Sequence, residues 1–343
     1  MINIRKKYFI LTLLTFFSGC IEPDSEYLWS ISVDKTLYTE SFVRDIEING
    51  NHAFIAAGQS GFQIWDLSSG ELLNKFDRYI GASGLTEFQD ISLVGRDSIN
   101  NLIFLSETNK RVLIFEYDGI DSLFYIDGIM SDRTKDFISF SSDSGYFTMF
   151  SADNDDGLLW CKYEKNSLYD TYYIYQMEGE EIYSPGKPEG IDSDGSGFIA
   201  LAVDQLGVEL YSLDSIGLNP MLVGKVDTEG NAENVLLTSE GIFASCDDAG
   251  AYFISIESFT SNNLQSFRFA VDFTVDHIAI DESKDIAALS IGSKGIALYD
   301  ISDKENPKER GVFSIGYTYK SHFWNDYLIV CSREGIQMLT ITK

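Results

Sequence analysis

Apolar and polar positions alternate along this chain in short bursts, and the bursts recur. A small or turn-forming residue opens each burst, and apolar positions alternate behind it. Two of them read Gly61-Phe62-Gln63-Ile64-Trp65-Asp66-Leu67 and Arg111-Val112-Leu113-Ile114-Phe115-Glu116-Tyr117. Shorter versions follow at Gly157-Leu158-Leu159-Trp160-Cys161, Gly207-Val208-Glu209-Leu210-Tyr211, Gly250-Ala251-Tyr252-Phe253-Ile254, Gly295-Ile296-Ala297-Leu298-Tyr299 and Gly335-Ile336-Gln337-Met338-Leu339. The steps between opening positions are 50, 46, 50, 43, 45 and 40 residues. A period in the forties, with a tight turn leading into a short strand, predicts a β-propeller of seven blades.

The first repeat carries signals for four strands. Val43–Ile48 alternates, and Asn49-Gly50 is a hairpin turn because both residues accept positive φ. Ala53–Ala57 is an unbroken apolar run, as expected of a strand covered on both faces. Gly58–Gly61 turns the chain, Phe62–Leu67 returns it, and Glu71–Phe76 follows after Ser68-Ser69-Gly70. Second strands recur at Leu102–Leu105, Tyr146–Phe150, Phe198–Val203, Ile242–Cys246, Ile286–Ile291 and Tyr327–Cys331. The third repeat matches least well, because Asp153-Asn154-Asp155-Asp156 swells its turn. Helical periodicity is absent beyond the first 19 residues, and 24 Phe and 19 Tyr beside 5 Pro suit an all-β chain.

The seventh repeat stops short. Lys320–Trp324, Tyr327–Cys331 and Ile336–Ile341 supply three strands, and no fourth follows. Tyr27–Val33 reads as a strand belonging to no repeat, with Trp29, Ile31 and Val33 alternating. The expectation is that it completes the last blade and closes the ring, removing edges that would otherwise aggregate.

Two segments resemble LVIVD repeats, the propeller repeats of bacterial and archaeal surface proteins. They are the run from Val43 to Leu67 and Gly295-Ile296-Ala297-Leu298-Tyr299-Asp300-Ile301 with its continuation to Pro307. Ile64-Trp65-Asp66-Leu67 is also similar to the WD-repeat dipeptide, without that family's Gly-His pair. The LVIVD resemblance implies a propeller outside the cytoplasm and implies no particular reaction.

The amino terminus agrees with that compartment. Arg5, Lys6 and Lys7 precede an apolar core, Tyr8–Phe17, too short to span a bilayer. Ser18-Gly19-Cys20 then resembles a bacterial lipoprotein lipobox, which implies cleavage before Cys20 and lipid on its sulfur. Residues 1–19 are read as a lipoprotein signal peptide, 20–26 as a short tether and 27–343 as the propeller domain. Cys161, Cys246 and Cys331 fall inside strands, in an odd count, and are expected to be buried thiols.

The whole chain carries a net charge of −28. Without the three basic residues of the signal, 22 basic residues face 53 acidic ones, a net charge of −31. Such a surface repels nucleic acid and anionic head groups. The expected partners are the membrane, through the lipid on Cys20, and a protein or carbohydrate; the expected state is a monomer.

Catalytic signatures are absent: no Gly-x-Ser-x-Gly elbow, no His-Glu-x-x-His, no Walker loop. Alignment of the repeats does yield one constellation. The residue before the first apolar position of each innermost strand is Asp45, Asp90, Asp136, Gly190, Asn234, His277 and His322. These line the central channel of a propeller. Asp45, Asp90, Asp136, His277 and His322 are therefore candidate ligands for a divalent cation, the one cofactor considered. The competing reading is a polar channel lining that meets water or neighbouring backbone. Asp192-Ser193-Asp194-Gly195-Ser196-Gly197 resembles the start of a calcium loop, but Val203 stands where the closing Glu belongs. Tyr169, Tyr172, Tyr173, Tyr175 and Tyr183 crowd one outer strand and its following loop, either packing on the next blade or forming a recognition surface. The reading as a whole is a lipid-anchored binding or scaffolding module. A metal-dependent hydrolase or lactonase built on the channel ring, and a purely structural envelope component, are its alternatives.

Overall fold

The computed structural model describes residues 28–129, 133–154, 157–169, 171–195, 197–214, 218–261 and 265–343. The signal peptide, Cys20, the tether and Tyr27 lie outside the described residues, as do parts of the Asp153–Asp156 and Asp192–Gly197 turns.

Seven four-stranded antiparallel sheets form a ring, the seven-bladed propeller that the repeats predict. Blade 1 runs Asp45–Asn49, His52–Ala56, Phe62–Asp66, Glu71–Phe76 from axis to rim. Blades 2 to 6 span Ile91–Ile129, Thr134–Ile182, Gly190–Val226, Asn234–Phe269 and His277–Phe313 in the same order. Blade 7 takes Thr318–Trp324, Tyr327–Ser332 and Gly335–Thr342 from the carboxyl end and Ser30–Tyr38 from the amino end. The innermost strands of neighbouring blades touch all the way round, including blade 7 against blade 1.

Buried apolar residues form seven clusters, and each lies between two blades. Phe54 and Ile64 of blade 1 meet Ile103 and Phe115 of blade 2. Ala53 and Trp65, from the other face of blade 1, meet Ile329 and Ile336 of blade 7. A blade thus has no core of its own, and stability comes from stacking. The unbroken apolar runs of the second strands follow from this, since both of their faces are covered.

Closure matches expectation in kind and differs in its bounds. The amino-terminal strand is Ser30–Tyr38, antiparallel to Gly335–Thr342, and Asp34 bulges between Val33 and Lys35. Its edge position leaves Lys35 and Thr36 polar, which hid its second half from pattern reading. The glycines explain why a fourth strand is needed there. A Cβ on Gly295, at φ +95°, would lie 2.1 Å from the carbonyl oxygen of Phe313, on the fourth strand of its own blade. One on Gly335, at φ +125°, would lie 2.1 Å from the carbonyl oxygen of Leu37, on the closing strand. The amino-terminal strand therefore stands where the fourth strand stands elsewhere, and glycine is required for both the φ and the approach.

Other features departed from the repeat. The third blade holds the two longest strands, Gly157–Leu168 and Thr171–Ile182, each 12 residues. A hairpin, Arg78–Gly81 with Gly84–Glu87, is inserted between blades 1 and 2. Glu257–Thr260 forms one helical turn. Cys161, Cys246 and Cys331 are buried and unpaired, as expected.

Candidate functional site: the central channel and its mouth

Register decides which side chains share a level in the channel. The level is set by the second-strand residue that pairs with the residue just after each opening glycine: Ala56, Ala152, Ser290 and Cys331 are examples. Their first-strand partners are Asp45, Asp136, His277 and Lys320. Lys320, which the repeat alignment did not select, holds the blade 7 place. His322 lies two residues further along the same strand, opposite Ile329. Ser321 explains the miss: a polar residue follows Lys320 where Ile46, Phe137 and Ile278 follow Asp45, Asp136 and His277, so the first apolar position of blade 7 falls at Phe323. Tyr319 bulges out of the ladder just before the level, as Lys135 does in blade 3. Blade 2 is irregular too: Ser92 bulges, which brings Leu93 to the level and leaves Asp90 outside at the mouth.

The structure brings Asp45, Asp136, His277 and His322 into one electrostatic neighbourhood around Lys320. Its ammonium lies 3.0 Å from Oδ1 of Asp45. Burial works against that charge, but Asp45 and Asp136 outweigh it and hold Lys320 above the usual lysine range. Burial raises Asp136, against the pull of Lys320. Burial, then the charge of Lys320 and the neighbouring His322, hold His277 well below the ordinary imidazole value, so it is neutral at physiological pH. Burial lowers His322 against the pull of Asp45. The Lys320 side chain keeps 26% of its surface accessible, so water reaches this level.

The carboxylates have a second task. Innermost strands do not pair with one another, so their outward N–H groups need acceptors. Asp45 Oδ2 accepts from Val94 N at 3.1 Å, and Asp192 Oδ2 accepts from Leu237 N at 2.7 Å. Asp136 Oδ2 accepts more weakly from Ile191 N at 3.4 Å. Each bond crosses to the next blade, so these residues stitch the ring while lining it. Asp90 instead faces Arg44, 3.9 Å away, and accepts from the Thr108 hydroxyl at 3.0 Å. Among the described residues no three His, Cys, Asp or Glu side chains converge closely enough to hold a metal ion. The geometry that the divalent-cation expectation requires is therefore not met by Asp45, Asp90, Asp136, His277 and His322 in this arrangement.

The mouth has two unlike flanks. On blades 7 and 1, the Arg44 guanidinium sits 4.9 Å from the Tyr319 ring centre and that of Arg333 sits 4.2 Å from Tyr317. Phe42 packs between the two arginines. On blades 4 to 6, carboxylates face one another. Burial, then Glu189, Asp247 and Asp204, push Glu233 up to about 7, while burial and then Asp247 push Asp276 up to about 6. Deeper in the shaft, burial and then Asp45 raise Glu47 to about 7.

These values predict a pH dependence. A carboxyl raised in the folded state contributes stability that is full below its unfolded value near 4 and is lost as pH rises through the folded value. The lowered imidazoles act in the opposite sense, but only up to their unfolded value near 6.5. Between pH 6.5 and 8 Glu47 and Glu233 therefore act unopposed, and the melting temperature should fall. Allowing for water in the shaft, the loss is about 1 kcal/mol, or roughly 3 °C. Thermal melts of wild type and of Glu233→Gln check this: the variant's slope should be shallower, and identical slopes would count against the assignment.

A cavity of about 730 Å³ lies outside the channel, between the inserted hairpin and blade 2, lined by Tyr79, Glu87, Gln89, Lys110, Arg111 and Tyr125. The hairpin that builds it has no counterpart in the repeat, so no spacing announced it.

No protein-family model matches the chain, and no curated protein matches it in sequence. Solved structures do match in shape. The WD40 repeats of RRP9 superpose with a TM-score of 0.68 at 13% identity, over 91% of this chain and 99% of that one. U3-55K gives 0.67 at 13%, over 90% and 98%. Sqt1 of Saccharomyces cerevisiae gives 0.56 at 14%, over 86% and 81%. At these identities the likeness establishes the WD40-like propeller fold alone.

Proposed function

We propose that this protein is a lipid-anchored binding module on the extracytoplasmic side of a bacterial cell envelope, on the outer membrane or at the cell surface. The observation that carries the binding reading is the placement of polar groups. A ring stitched at its axis presents a charged, water-reached mouth, and its reactive side chains do not converge. WD40-like neighbours support a scaffold that displays surfaces. The LVIVD resemblance and the lipobox support the compartment.

The anchor fits this geometry. The closing strand enters at Ser30, opposite Thr342, and reaches Tyr38 beside Gly335 at the mouth end. The described chain thus begins at the outer rim, on the face away from the mouth. Ten residue steps from Cys20 to Ser30 reach at most roughly 35 Å. An anchor on that face would leave the mouth free for soluble or surface partners.

Replacing Cys20 with Ala tests the anchor. The variant should move from the membrane fraction to the soluble fraction almost completely, because the acyl chains supply the membrane affinity. A variant that stays with the membranes would mean that another feature holds the protein there.

A further inference from the structure

The outer strand of blade 3 differs from the other six. A strand at a sheet edge exposes unpaired N–H and C=O groups, and native proteins blunt such edges with Lys, Pro or a covering segment. Five of the outer strands carry Lys, Arg or Pro: Lys75, Pro220 with Lys225, Arg268, Lys308 with Arg310, and Lys35. The sixth, Leu123–Ile129, has none, but the inserted hairpin lies against it, with Tyr79 and Tyr125 rings 5.2 Å apart. Thr171–Ile182 carries no Lys, Arg or Pro; Leu123–Ile129 touches only its start, near Thr171 and Tyr172, and its charges, Glu178, Glu180 and Glu181, lie in its second half. It pairs on one side only, with Gly157–Leu168. Its first half, Thr171–Gln176, is a regular ladder free of charge, and the register shifts only beyond it.

The side chains there are tyrosines, and they are open. Tyr173 is 46% exposed and Tyr175 60%. They stand on one face, opposite Asn166 and Glu164, and Tyr146 joins the same face across Glu164, donating to it at 3.4 Å. Glu178, Glu180 and Glu181 continue the strand. Tyr172, on the opposite face, already seats a cation, with Lys165 Nζ 4.5 Å from its ring centre.

We infer that this edge accepts an extended, lysine-bearing segment of a partner protein as a fifth strand of blade 3. Backbone pairing supplies the affinity, and alternate side chains supply the selectivity. Ammonium groups on one face of the added strand reach the Tyr173 and Tyr175 rings and the carboxylate of Glu164, while Glu178 is already paired with Lys162. Charge complementarity favours this occupant over a second copy of the chain, because both copies would bring a net charge of −31 to the contact. The inference deepens the binding reading and rests on it for the existence of a partner. It is independent of the lipid, which the Cys20 variant tests separately.

The test uses the full chain in detergent and a fluorescent octapeptide of alternating Lys and Val. A second peptide has the same sequence and charge but is N-methylated at alternate residues, which blocks strand pairing. Fluorescence anisotropy should give saturable binding of the first peptide and at least tenfold weaker binding of the second. Tyr173→Ala with Tyr175→Ala should weaken the first by roughly tenfold with an unchanged melting temperature, since both rings are exposed. Equal binding of the two peptides would reduce the effect to bulk charge and overturn the inference, as would no binding or an unaffected variant. Sedimentation showing a dimer that the variant makes monomeric would give the edge to a second copy. Binding of chitohexaose but of neither peptide, lost in the variant, would give the tyrosines to a sugar.

Discussion

Deleting residues 21–38 should leave a protein that no longer unfolds in one cooperative transition near the wild-type temperature. The closing strand carries Trp29 into the cluster between blades 6 and 7 and Leu37 into the cluster between blades 7 and 1. Each buried side chain of this size contributes about 2–3 kcal/mol, so roughly 5 kcal/mol is lost from these two alone. That corresponds to a melting temperature lower by on the order of 10 °C. The loss does not stop there. Trp29 N donates to Arg310 O at 2.8 Å, a bond from the closing strand's start to blade 6. Without the strand, Gly335–Thr342 becomes an unpaired edge and the seam between first and last blades opens. Calorimetry and sedimentation check this together, with the truncated chain melting early and aggregating. A truncated chain that melted with wild type would mean that the three carboxyl-terminal strands close the ring unaided.

Lys320→Met should be the most damaging single substitution in the channel. It removes the ammonium that lies 3.0 Å from Asp45 and that also draws on Asp136, leaving two carboxylates facing each other in the shaft. Breaking a fully buried pair costs about 3–5 kcal/mol. Water reaches this pair, so a loss of about 2 kcal/mol is expected. The sign with pH follows. Without the ammonium the folded-state value of Asp136 rises further, so the variant's deficit should be small near pH 4 and grow as pH rises through neutrality. Asp45→Asn added to Lys320→Met should recover part of the loss, because one of the two repelling charges is gone. Denaturant melts of the two single variants and the double variant form the cycle. Additive losses with no pH dependence would mean that Lys320 acts by packing instead of charge.

Blade number, blade order and the origin of the closing strand were legible because each rests on a repeated local signal. A turn residue requires positive φ at Gly295 and Gly335, and an apolar run marks each strand covered on both faces. The channel was legible only to the extent that register is regular. Asp45, Asp136 and His277 were placed at one level because an apolar residue directly follows each of them, although Lys135 bulges just before Asp136. Lys320 escaped because polar Ser321 follows it, and Asp90 was counted in because Ile91, which lies outside the level with the bulge at Ser92 behind it, is apolar. A bulge leaves no compositional mark, so no pattern of hydrophobic positions announces it. The tyrosines of blade 3 were visible as a cluster, but their exposure was not. It depends on those strands being longer than their neighbours, a comparison between blades that no single repeat contains.

We propose that the propeller is held at a membrane by lipid on Cys20 and works as a binding module from there. Intact-mass and peptide mass spectrometry of the protein extracted from membranes tests it most directly. The expected mature chain begins at Cys20, with an amino-terminal peptide heavier by the acyl groups on that residue. A mature chain starting elsewhere, or a Cys20 of unmodified mass, would contradict it.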